Sequence, residues 1–277
     1  MNRKQWLDER RKGIGGSDAP IVMGCGYSGS SRLELWQDKV GLSEMVVEET
    51  EQIMWGRRLE AHILSGYQES SGNVIVINDA DIIEKHPCIP YMICTPDAWG
   101  FESVIEVKNV SEWQASEWEK EAPEKHRWQL LHNIYVTHSK WGTLVALIGG
   151  NRLVWYDYYL DDMREDLHRL LYEEARFWHL VETETPPEVE PDTPRAAVIE
   201  DEDSEAEPVM LSDEGREYTD MYDEYYDYMK TAEEEVKRAK VAIVKEMGSA
   251  TKALMPDGSG WTLKANKHGN RVLRRFR

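Results

Sequence analysis

The chain has 277 residues, of which 41% are hydrophobic and 31% charged, and its formal net charge at pH 7 is −19. This length is sufficient for one large hydrophobic core and a smaller appendage. The sequence excludes a membrane-spanning helix, which needs roughly 20 consecutive apolar residues, and its three cysteines, which lack C-x-x-C spacing, argue against a zinc site or a disulfide framework.

The negative charge is concentrated in one part of the sequence. Residues 181–235 hold 21 acidic residues against three basic ones, whereas residues 236–277 hold 11 basic residues against two acidic ones. Residues 1–180 have a balance of −10. A mildly acidic first region argues against tight, non-specific binding to duplex DNA, so any phosphate contacts there must be local.

The composition of the sequence predicts that the chain is divided into three parts. Residues 1–182 are dense in aromatic and periodic apolar residues and indicate a folded domain. Residues 183–210 are rich in proline and acidic residues and indicate an extended linker. Residues 211–277 show a helical pattern up to Gly248, then a hairpin pattern around Pro256-Asp257-Gly258 and a basic end.

Helices and strands mix in the first region, which indicates an α/β fold. After a short N-terminal helix, the glycine-rich turn Gly13–Asp18 is expected to place Ser17 or Asp18 as the cap of the next helix. Further expected elements are helices at Arg32–Val40, Trp55–Glu69, Trp128–Val136 and Asp161–Val181, and strands at Trp141–Ile148 and Arg152–Tyr159, joined by a tight turn.

A group of charged residues lies within an otherwise apolar stretch between these elements. Glu106 and Lys108 alternate with Val107 on an expected strand and therefore share one face of it. If Tyr91–Cys94 pairs with this strand, Asp97 lies beside the same face. Two carboxylates suit Mg²⁺ or Mn²⁺, and a neighbouring lysine can orient a metal-bound water, which are the groups needed to hydrolyse a phosphodiester.

A simpler interpretation of the same residues is a solvated charge pair between strands. The surrounding residues are apolar, however, and isolated charges are costly in a buried sheet unless a metal ion or partner groups compensate them. The sequence therefore favours a functional site over a surface ion pair.

Short motifs in the expected order make residues 5–180 similar to the lambda-exonuclease/YqaJ family of phage recombination nucleases, within the PD-(D/E)XK superfamily. The motifs are Trp6–Arg10 with Gly13–Asp18, Trp55–Glu60, Thr95–Asp97, Glu106–Lys108, and Gln129 with Val136-Thr137. The resemblance implies a restriction-endonuclease-like core with a mixed central sheet flanked by helices. A C-terminal helical arm and a small hairpin would follow that core.

The resemblance also implies roles for individual residues. Asp97, Glu106 and the Val107 carbonyl would hold a metal ion, and Glu60 would lie near a second one. Lys108 would position the attacking water. Further implied roles are orientation of the water or scissile phosphate by Gln129 and contacts to a terminal 5′-phosphate by Arg10, Ser17 and Thr95.

The function implied by the resemblance is Mg²⁺-dependent 5′→3′ degradation of one strand of linear double-stranded DNA, with Mn²⁺ able to substitute and two ions in the active complex. The exposed 3′ strand would pass to a single-strand annealing protein in phage-type recombination. Some members of the family are trimeric rings, so a homo-oligomer is expected. The expected location is the cytoplasm of a bacterial host, for a phage or prophage protein without membrane association.

Two alternatives stay open at this point. The same fold can carry an endonuclease, since polarity and end recognition come from the resemblance alone. A non-catalytic DNA-end-binding or scaffold protein is the other, although the presence of Asp97, Glu106, Lys108 and Glu60 together argues against it.

Overall fold

The computed structural model describes residues 3–26, 30–43, 50–78, 82–189, 208–265 and 271–276. The chain divides into two compact units, Met1–Glu202 and Asp203–Arg277. Most of the predicted linker at 183–210, including its acidic run at 200–203, lies outside the described residues. The predicted domain boundaries stay predictions.

The first unit is a mixture of helices and short and long strands. Its α-helices are α1 Arg3–Arg11, α2 Ala19–Val22, α3 Arg32–Val40, α4 Glu51–Ser71, α5 Glu124–Val136 and α6 Arg164–Glu182, with 3₁₀ helices at Glu112–Trp118 and Leu160–Met163. Its strands are β1 Val76–Ile77, β2 Glu84–Lys85, β3 Ile93–Cys94, β4 Ala98–Gly100, β5 Ser103–Val110, β6 Trp141–Ile148 and β7 Arg152–Tyr159.

Local sequence signals account for the limits of α3 and α4. Ser31 and Glu34 form a reciprocal capping box at the start of α3, and Gly41 ends that helix in the left-handed conformation at φ 80°. Thr50 caps α4 by accepting a hydrogen bond from the Ile53 N–H, and Gly72 ends it in the same left-handed way. Glycine fits these ends because it has no Cβ to clash at positive φ.

The central sheet has five strands in the order β1-β4-β5-β6-β7. Only the pairing of β5 with β6 is parallel, and the other three pairings are antiparallel. Because the crossover between two parallel strands must span the sheet, α5 connects β5 to β6 and lies across one face. The expected mixed central sheet flanked by helices is thus confirmed.

Each face of the sheet is covered by a helix. On one face, Ile63, Leu64 and Tyr67 of α4 pack against Ile105 and Val107 of β5. On the other face, Leu130 and Ile134 of α5 pack in one cluster with Val104, Leu144 and Ala146. The outer side of α5 contacts α2 and α6 through a second cluster that includes Ala19, Leu131 and Leu170. Helix α5 is therefore enclosed between the sheet and the N-terminal helices.

Two details of the sequence prediction are wrong. Tyr91–Cys94 does not pair with β5, because β3 within it pairs with Glu84–Lys85 in a separate two-stranded sheet. The antiparallel partner of β5 is the shorter strand β4, which begins directly after Asp97. Asp18 occupies the N-cap position of α2, but its side chain does not cap that helix.

The second unit consists of one long helix, α7 Asp213–Met247, followed by strands β8 Lys252–Leu254, β9 Gly260–Ala265 and β10 Arg271–Phe276. These strands form an antiparallel sheet in the order β10-β9-β8. The predicted helix and hairpin are present, whereas the third strand was not predicted. None of the described helices is long and apolar enough to cross a membrane.

Candidate active site

Strand β5 carries the first two side chains of the site. Glu106 and Lys108 lie on one face of the strand, and Lys108 Nζ donates a hydrogen bond to Glu106 Oε1 at 2.6 Å. Val107, between them, points to the opposite face and packs against α4. Glu106 is only 4% exposed, so its negative charge depends on protein donors for stabilisation.

Helix α5 provides the remaining donors to Glu106. Gln129 Nε2 donates to Oε1 at 2.6 Å, and Asn133 Nδ2 donates to Oε2 at 3.1 Å. Both oxygens of the carboxylate are thus held from the same helix. Asn133 was not predicted from the sequence, although its position four residues after Gln129 places both side chains on one face of α5 and could have indicated it.

Asp97 reaches the site from the connection between β3 and β4. Its Oδ2 accepts a hydrogen bond from the Val107 N–H at 2.6 Å, which fixes the carboxylate beside Glu106. Burial, followed by the negative charges of Glu106 and Glu60, holds the pKa of Asp97 well above its ordinary value. This effect places Glu60, on α4, within electrostatic range of Asp97.

Thr95 stands two residues before Asp97 and is half-buried. Within the part of the chain that the structure describes, its side chain makes no hydrogen bond. Its predicted phosphate contact therefore stays a prediction.

The acidic residues fit a hard divalent cation. Among the described residues, no three His, Cys, Asp or Glu side chains are already arranged as a metal site. Asp97 and Glu106 nevertheless form a close carboxylate pair, and Mg²⁺ commonly binds through one or two carboxylates while keeping several waters. Burial is the largest cause of the raised pKa of Asp97, and the charges of Glu106 and Glu60 add to it; a bound cation would offset both effects.

His126, at the start of α5, lies near the same lysine. Burial, and then the positive charges of Lys108 and Lys125, lower the pKa of His126 to about 2. The imidazole is therefore neutral throughout the physiological range and does not compete with Lys108 as a cationic group.

A second cluster of charges is formed by α1, the turn after it and α3. Arg10 donates a hydrogen bond to Ser17 Oγ at 2.5 Å and lies 3.7 Å from Asp18 Oδ1. Asp18 Oδ2 accepts from the Gly15 N–H at 2.9 Å and from Lys39 Nζ at 2.7 Å. The structure thus brings Arg10 and Ser17 together, and Asp18 and Lys39 are the residues that hold them.

The pKa of Asp18 depends on two opposing effects in this second cluster, burial and nearby positive charge. Burial by itself would raise the pKa, but the positive charges of Lys39 and Arg10 outweigh it and lower the pKa below its ordinary value. Lys39, whose side chain is 3% exposed, also donates to the Arg10 carbonyl at 3.1 Å. Ser17 and Asp18 contact the Arg10 guanidinium, which also lies 4.6 Å from the centre of the Trp6 ring.

Backbone contacts connect the two clusters. Gly16 lies so close to Asn133 that a Cβ at this position would come within 2.1 Å of Asn133 Oδ1. Ile14 forms an isolated parallel bridge with Met92, just before β3: its N–H donates to the Tyr91 carbonyl at 2.6 Å, and its carbonyl accepts from the Ile93 N–H at 3.0 Å. The turn that carries Ser17 thus lies against α5 and the strand that leads to Asp97.

A buried ion pair fixes α5 from its other side. His132 Nδ1 donates to Glu174 Oε1, and Nε2 donates to the Ile93 carbonyl, both at 2.8 Å. A carbonyl oxygen and an ionised carboxylate can only accept, so this arrangement fits a ring that is protonated at both nitrogens. Burial alone would lower the pKa of His132, but Glu174 and the Ile93 carbonyl raise it overall. An imidazolium thus links α5 to α6 and β3.

We predict that Asp97→Asn stabilises the metal-free protein, because the amide keeps an acceptor for the Val107 N–H and removes a negative charge beside Glu106 and Glu60. Thermal unfolding in EDTA should show a higher Tm, by about 2–4 °C for each kcal/mol gained. Mg²⁺ at 100 times its Kd should stabilise the wild type by about 2.7 kcal/mol and the variant much less.

The control for this prediction is Asp157→Asn, which changes an exposed carboxylate of β7 that accepts a hydrogen bond from Thr143. It should leave the Mg²⁺-dependent change in Tm intact. An unchanged Mg²⁺ response in Asp97→Asn would contradict the metal assignment.

We predict that the His132–Glu174 pair makes stability depend on pH. Because the folded pKa of His132 is raised above the ordinary 6.5, its contribution is complete below that pH and is lost as pH rises through the folded pKa. Urea unfolding from pH 6 to 9 should therefore show a decline in the wild type that Glu174→Gln reduces. Parallel curves for the two proteins would contradict the charged pair.

Comparisons with known proteins agree with this architecture. Residues 5–140 match the family model of the YqaJ-like viral recombinase domain. The chain is 33% identical over 184 residues to an uncharacterized protein, YqaJ, of Bacillus subtilis (strain 168); the alignment covers 65% of this chain and 56% of that relative, so the chain spans little more than half of its length.

Two solved structures share the fold. An alkaline exonuclease from Laribacter hongkongensis, LHK-Exo, is 17% identical, with a TM-score of 0.55, and is matched over 66% of this chain and 94% of that chain. LHK-Exo in complex with dAMP is 18% identical, with a TM-score of 0.54 and the same coverage. The predicted resemblance is confirmed: residues 5–140 of this chain are similar to the YqaJ-like viral recombinase domain.

Proposed function

We propose that the chain is a metal-dependent exonuclease that hydrolyses one strand of linear double-stranded DNA from its 5′ end. The observation that carries this proposal is the meeting of Asp97, Glu106 and Lys108 at one point of a buried sheet, with both Glu106 oxygens held by α5. A stabilising surface ion pair would not need a second buried carboxylate beside it.

Asp97 and Glu106 would hold Mg²⁺, or Mn²⁺ in its place, with the Val107 carbonyl as a further ligand and Glu60 near a second ion. When bound, the metal supplies Lewis-acid polarisation of the scissile phosphate and lowers the pKa of a coordinated water. The protein contributes a fixed pair of oxygen ligands, because Glu106 is oriented by two amides and a lysine and Asp97 by a backbone N–H.

Lys108 is placed to act on the attacking water and on the phosphate. Its Nζ lies 2.6 Å from Glu106 Oε1, and its side chain is one fifth exposed, so it reaches both the carboxylate and the solvent side of the site. A positive charge held there stabilises the negative charge that develops on the phosphate oxygens. Gln129 fixes the same carboxylate oxygen and would orient the water or the scissile phosphate.

Attack at 5′ ends is supported by the cluster around Arg10. A guanidinium held by Ser17 and Asp18 offers the paired N–H donors that bind a phosphate. The turn that carries Ser17 packs against Asn133, which holds the catalytic carboxylate, so a terminal phosphate bound at Arg10 would be near the bond to be cleaved. Thr95, two residues before Asp97, would add a hydroxyl to this phosphate site.

The comparison with LHK-Exo supports exonuclease over other nuclease activities. That protein is an alkaline exonuclease of similar fold, and its complex contains dAMP, a deoxynucleoside monophosphate of the kind that exonucleolytic hydrolysis releases. From the family resemblance, we propose that the 3′-ended strand passes to a single-strand annealing protein in phage-type recombination. We further propose that the protein acts as a homo-oligomer, such as a trimeric ring.

The proposal is tested by digestion of linear and covalently closed circular duplex DNA, with and without Mg²⁺, using strands labelled separately at their 5′ and 3′ ends. We expect Mg²⁺-dependent loss of the 5′-ended strand from the linear substrate alone. Asp97→Ala should reduce the rate by at least about 10³-fold, since it removes a metal ligand.

Each of the other possible outcomes would indicate a different activity. Cutting of the closed circle would show an endonuclease on the same fold. Binding to DNA ends without cleavage in Mg²⁺ or Mn²⁺ would show a non-catalytic end-binding protein.

We predict that Arg10→Gln reduces the preference for 5′-phosphorylated over 5′-hydroxyl ends by about 10-fold or more, because a charge-assisted contact is lost. The measurement is the ratio of initial rates on the two substrates. Arg11→Gln is the matched control, since Arg11 is adjacent on α1 but pairs with Asp38 at 3.2 Å. Equal rates on both ends in the wild type would contradict end reading by Arg10.

A further inference from the structure

The three-stranded sheet of the second unit has two chemically different faces, which its register defines. Thr262 of β9 is opposite Lys252 of β8 and Arg274 of β10, so these three side chains form a row across one face. Lys264, two residues after Thr262, extends from the same face. We name this surface the cationic face, defined by Lys252, Thr262, Lys264 and Arg274.

The opposite face is the packed side of the sheet. It carries Leu263, which is 7% exposed, together with Trp261 and Leu273, which are partly buried, and the exposed Arg271 and Arg275 of the edge strand β10. The cationic face has no buried apolar centre of this kind among the described residues, and its lysines and arginine are exposed. A shallow depression on the side of the cationic face is lined by Thr251, Lys252, Thr262, Lys264, Arg274, Arg275 and Phe276.

Apolar side chains accompany the charges on the cationic face. Register places Leu254, Gly260 and Phe276 together in the row next to that of Thr262. Phe276 lies across the glycine, since a Cβ at Gly260 would come within 3.0 Å of the ring, and Lys252 Nζ stands 4.9 Å from the ring centre. Leu254 is 66% exposed. The cationic face therefore offers an aromatic ring and aliphatic surface beside its charges.

The C-terminal part of the second unit has a positive net charge, whereas the whole chain has a negative one. Residues 236–277 carry 11 basic residues against two acidic ones, in a protein of net charge −19. A local positive surface on an acidic protein attracts polyanions to one place rather than over the whole molecule. Nucleic-acid phosphates are the polyanions that such a surface fits.

We propose that the cationic face binds single-stranded DNA. Lysine and arginine would neutralise phosphates, while Phe276 and Leu254 would contact bases, which a single strand exposes and a duplex keeps stacked inside. The choice of DNA over RNA rests on the proposed nuclease function, whereas the binding does not require cleavage. This site is distinct from the carboxylate site of the first unit, because it lies entirely on β8, β9 and β10.

The test is fluorescence anisotropy of the full-length protein with a labelled single-stranded oligonucleotide, in EDTA so that no metal-dependent cleavage occurs. We expect Lys264→Gln/Arg274→Gln to weaken binding by about 10-fold or more at 50 mM salt. The slope of log K against log[salt] should fall in magnitude by about 1.4, because two phosphate contacts are removed. Lys264→Arg/Arg274→Lys should retain binding, since it keeps both charges.

The matched control is Lys237→Gln/Lys240→Gln, which removes the same charge from exposed positions of α7. It should change the affinity less than 2-fold. Equal affinities for the wild type and Lys264→Gln/Arg274→Gln would overturn the proposal. Equal losses in both variants, or an equal loss for duplex DNA, would overturn it in favour of a general charge effect.

Because binding is measured without metal, the outcome separates the two proposals. A protein that binds the oligonucleotide through the cationic face but cleaves no DNA in Mg²⁺ would contradict the nuclease function alone. A protein that digests linear DNA while the cationic-face variant binds normally would contradict only the inference made here.

Discussion

The buried negative charge of Glu106 is the constraint on which the rest of the first unit depends. A carboxylate that is 4% exposed is stable only if both of its oxygens are hydrogen-bonded and its charge is balanced. Lys108 comes from the same strand, and Gln129 and Asn133 come from α5. The side chains that stabilise the charge therefore also hold α5 on the sheet.

The position of α5 determines the geometry of the surrounding groups. His132, on its other side, links the helix to α6 and to the Ile93 carbonyl, just before the connection that delivers Asp97. Gly16 fits closely against Asn133, which brings the turn with Ser17, and with it Arg10, to the same helix. One helix thus sets the distance between the carboxylate pair and Arg10, and this arrangement supports the proposal that Arg10 binds the terminal phosphate of a DNA end close to the bond that is cleaved.

Local sequence patterns predicted much of this arrangement, whereas the rest depends on packing between residues that are distant in the sequence. Alternation along β5 predicted that Glu106 and Lys108 share a face, and the helical pattern that ends at Gly41 predicted α3 with its observed limits. The predicted pairing of Tyr91–Cys94 was wrong because these residues have other neighbours, which sequence spacing does not reveal: Met92 forms a bridge with Ile14, and the Ile93 carbonyl contacts His132. Strand β10 was not predicted, because its arginines interrupt the alternation of apolar and polar residues that indicates a strand. Asn133 was not predicted, because it contacts Glu106 only when α5 packs on β5.

Diffraction from crystals grown with Mn²⁺, recorded where Mn²⁺ scatters anomalously, would test the central claim most directly. The account predicts an anomalous peak bound by the Asp97 and Glu106 carboxylates, at about 2.0–2.3 Å from their oxygens as for other hard divalent ions. The peak should be absent from Asp97→Asn crystals, whereas the hydrogen bonds from Gln129 and Asn133 to Glu106 should persist. A peak at other residues, or no peak at saturating Mn²⁺ with the fold intact, would contradict the assignment of these carboxylates as the metal site.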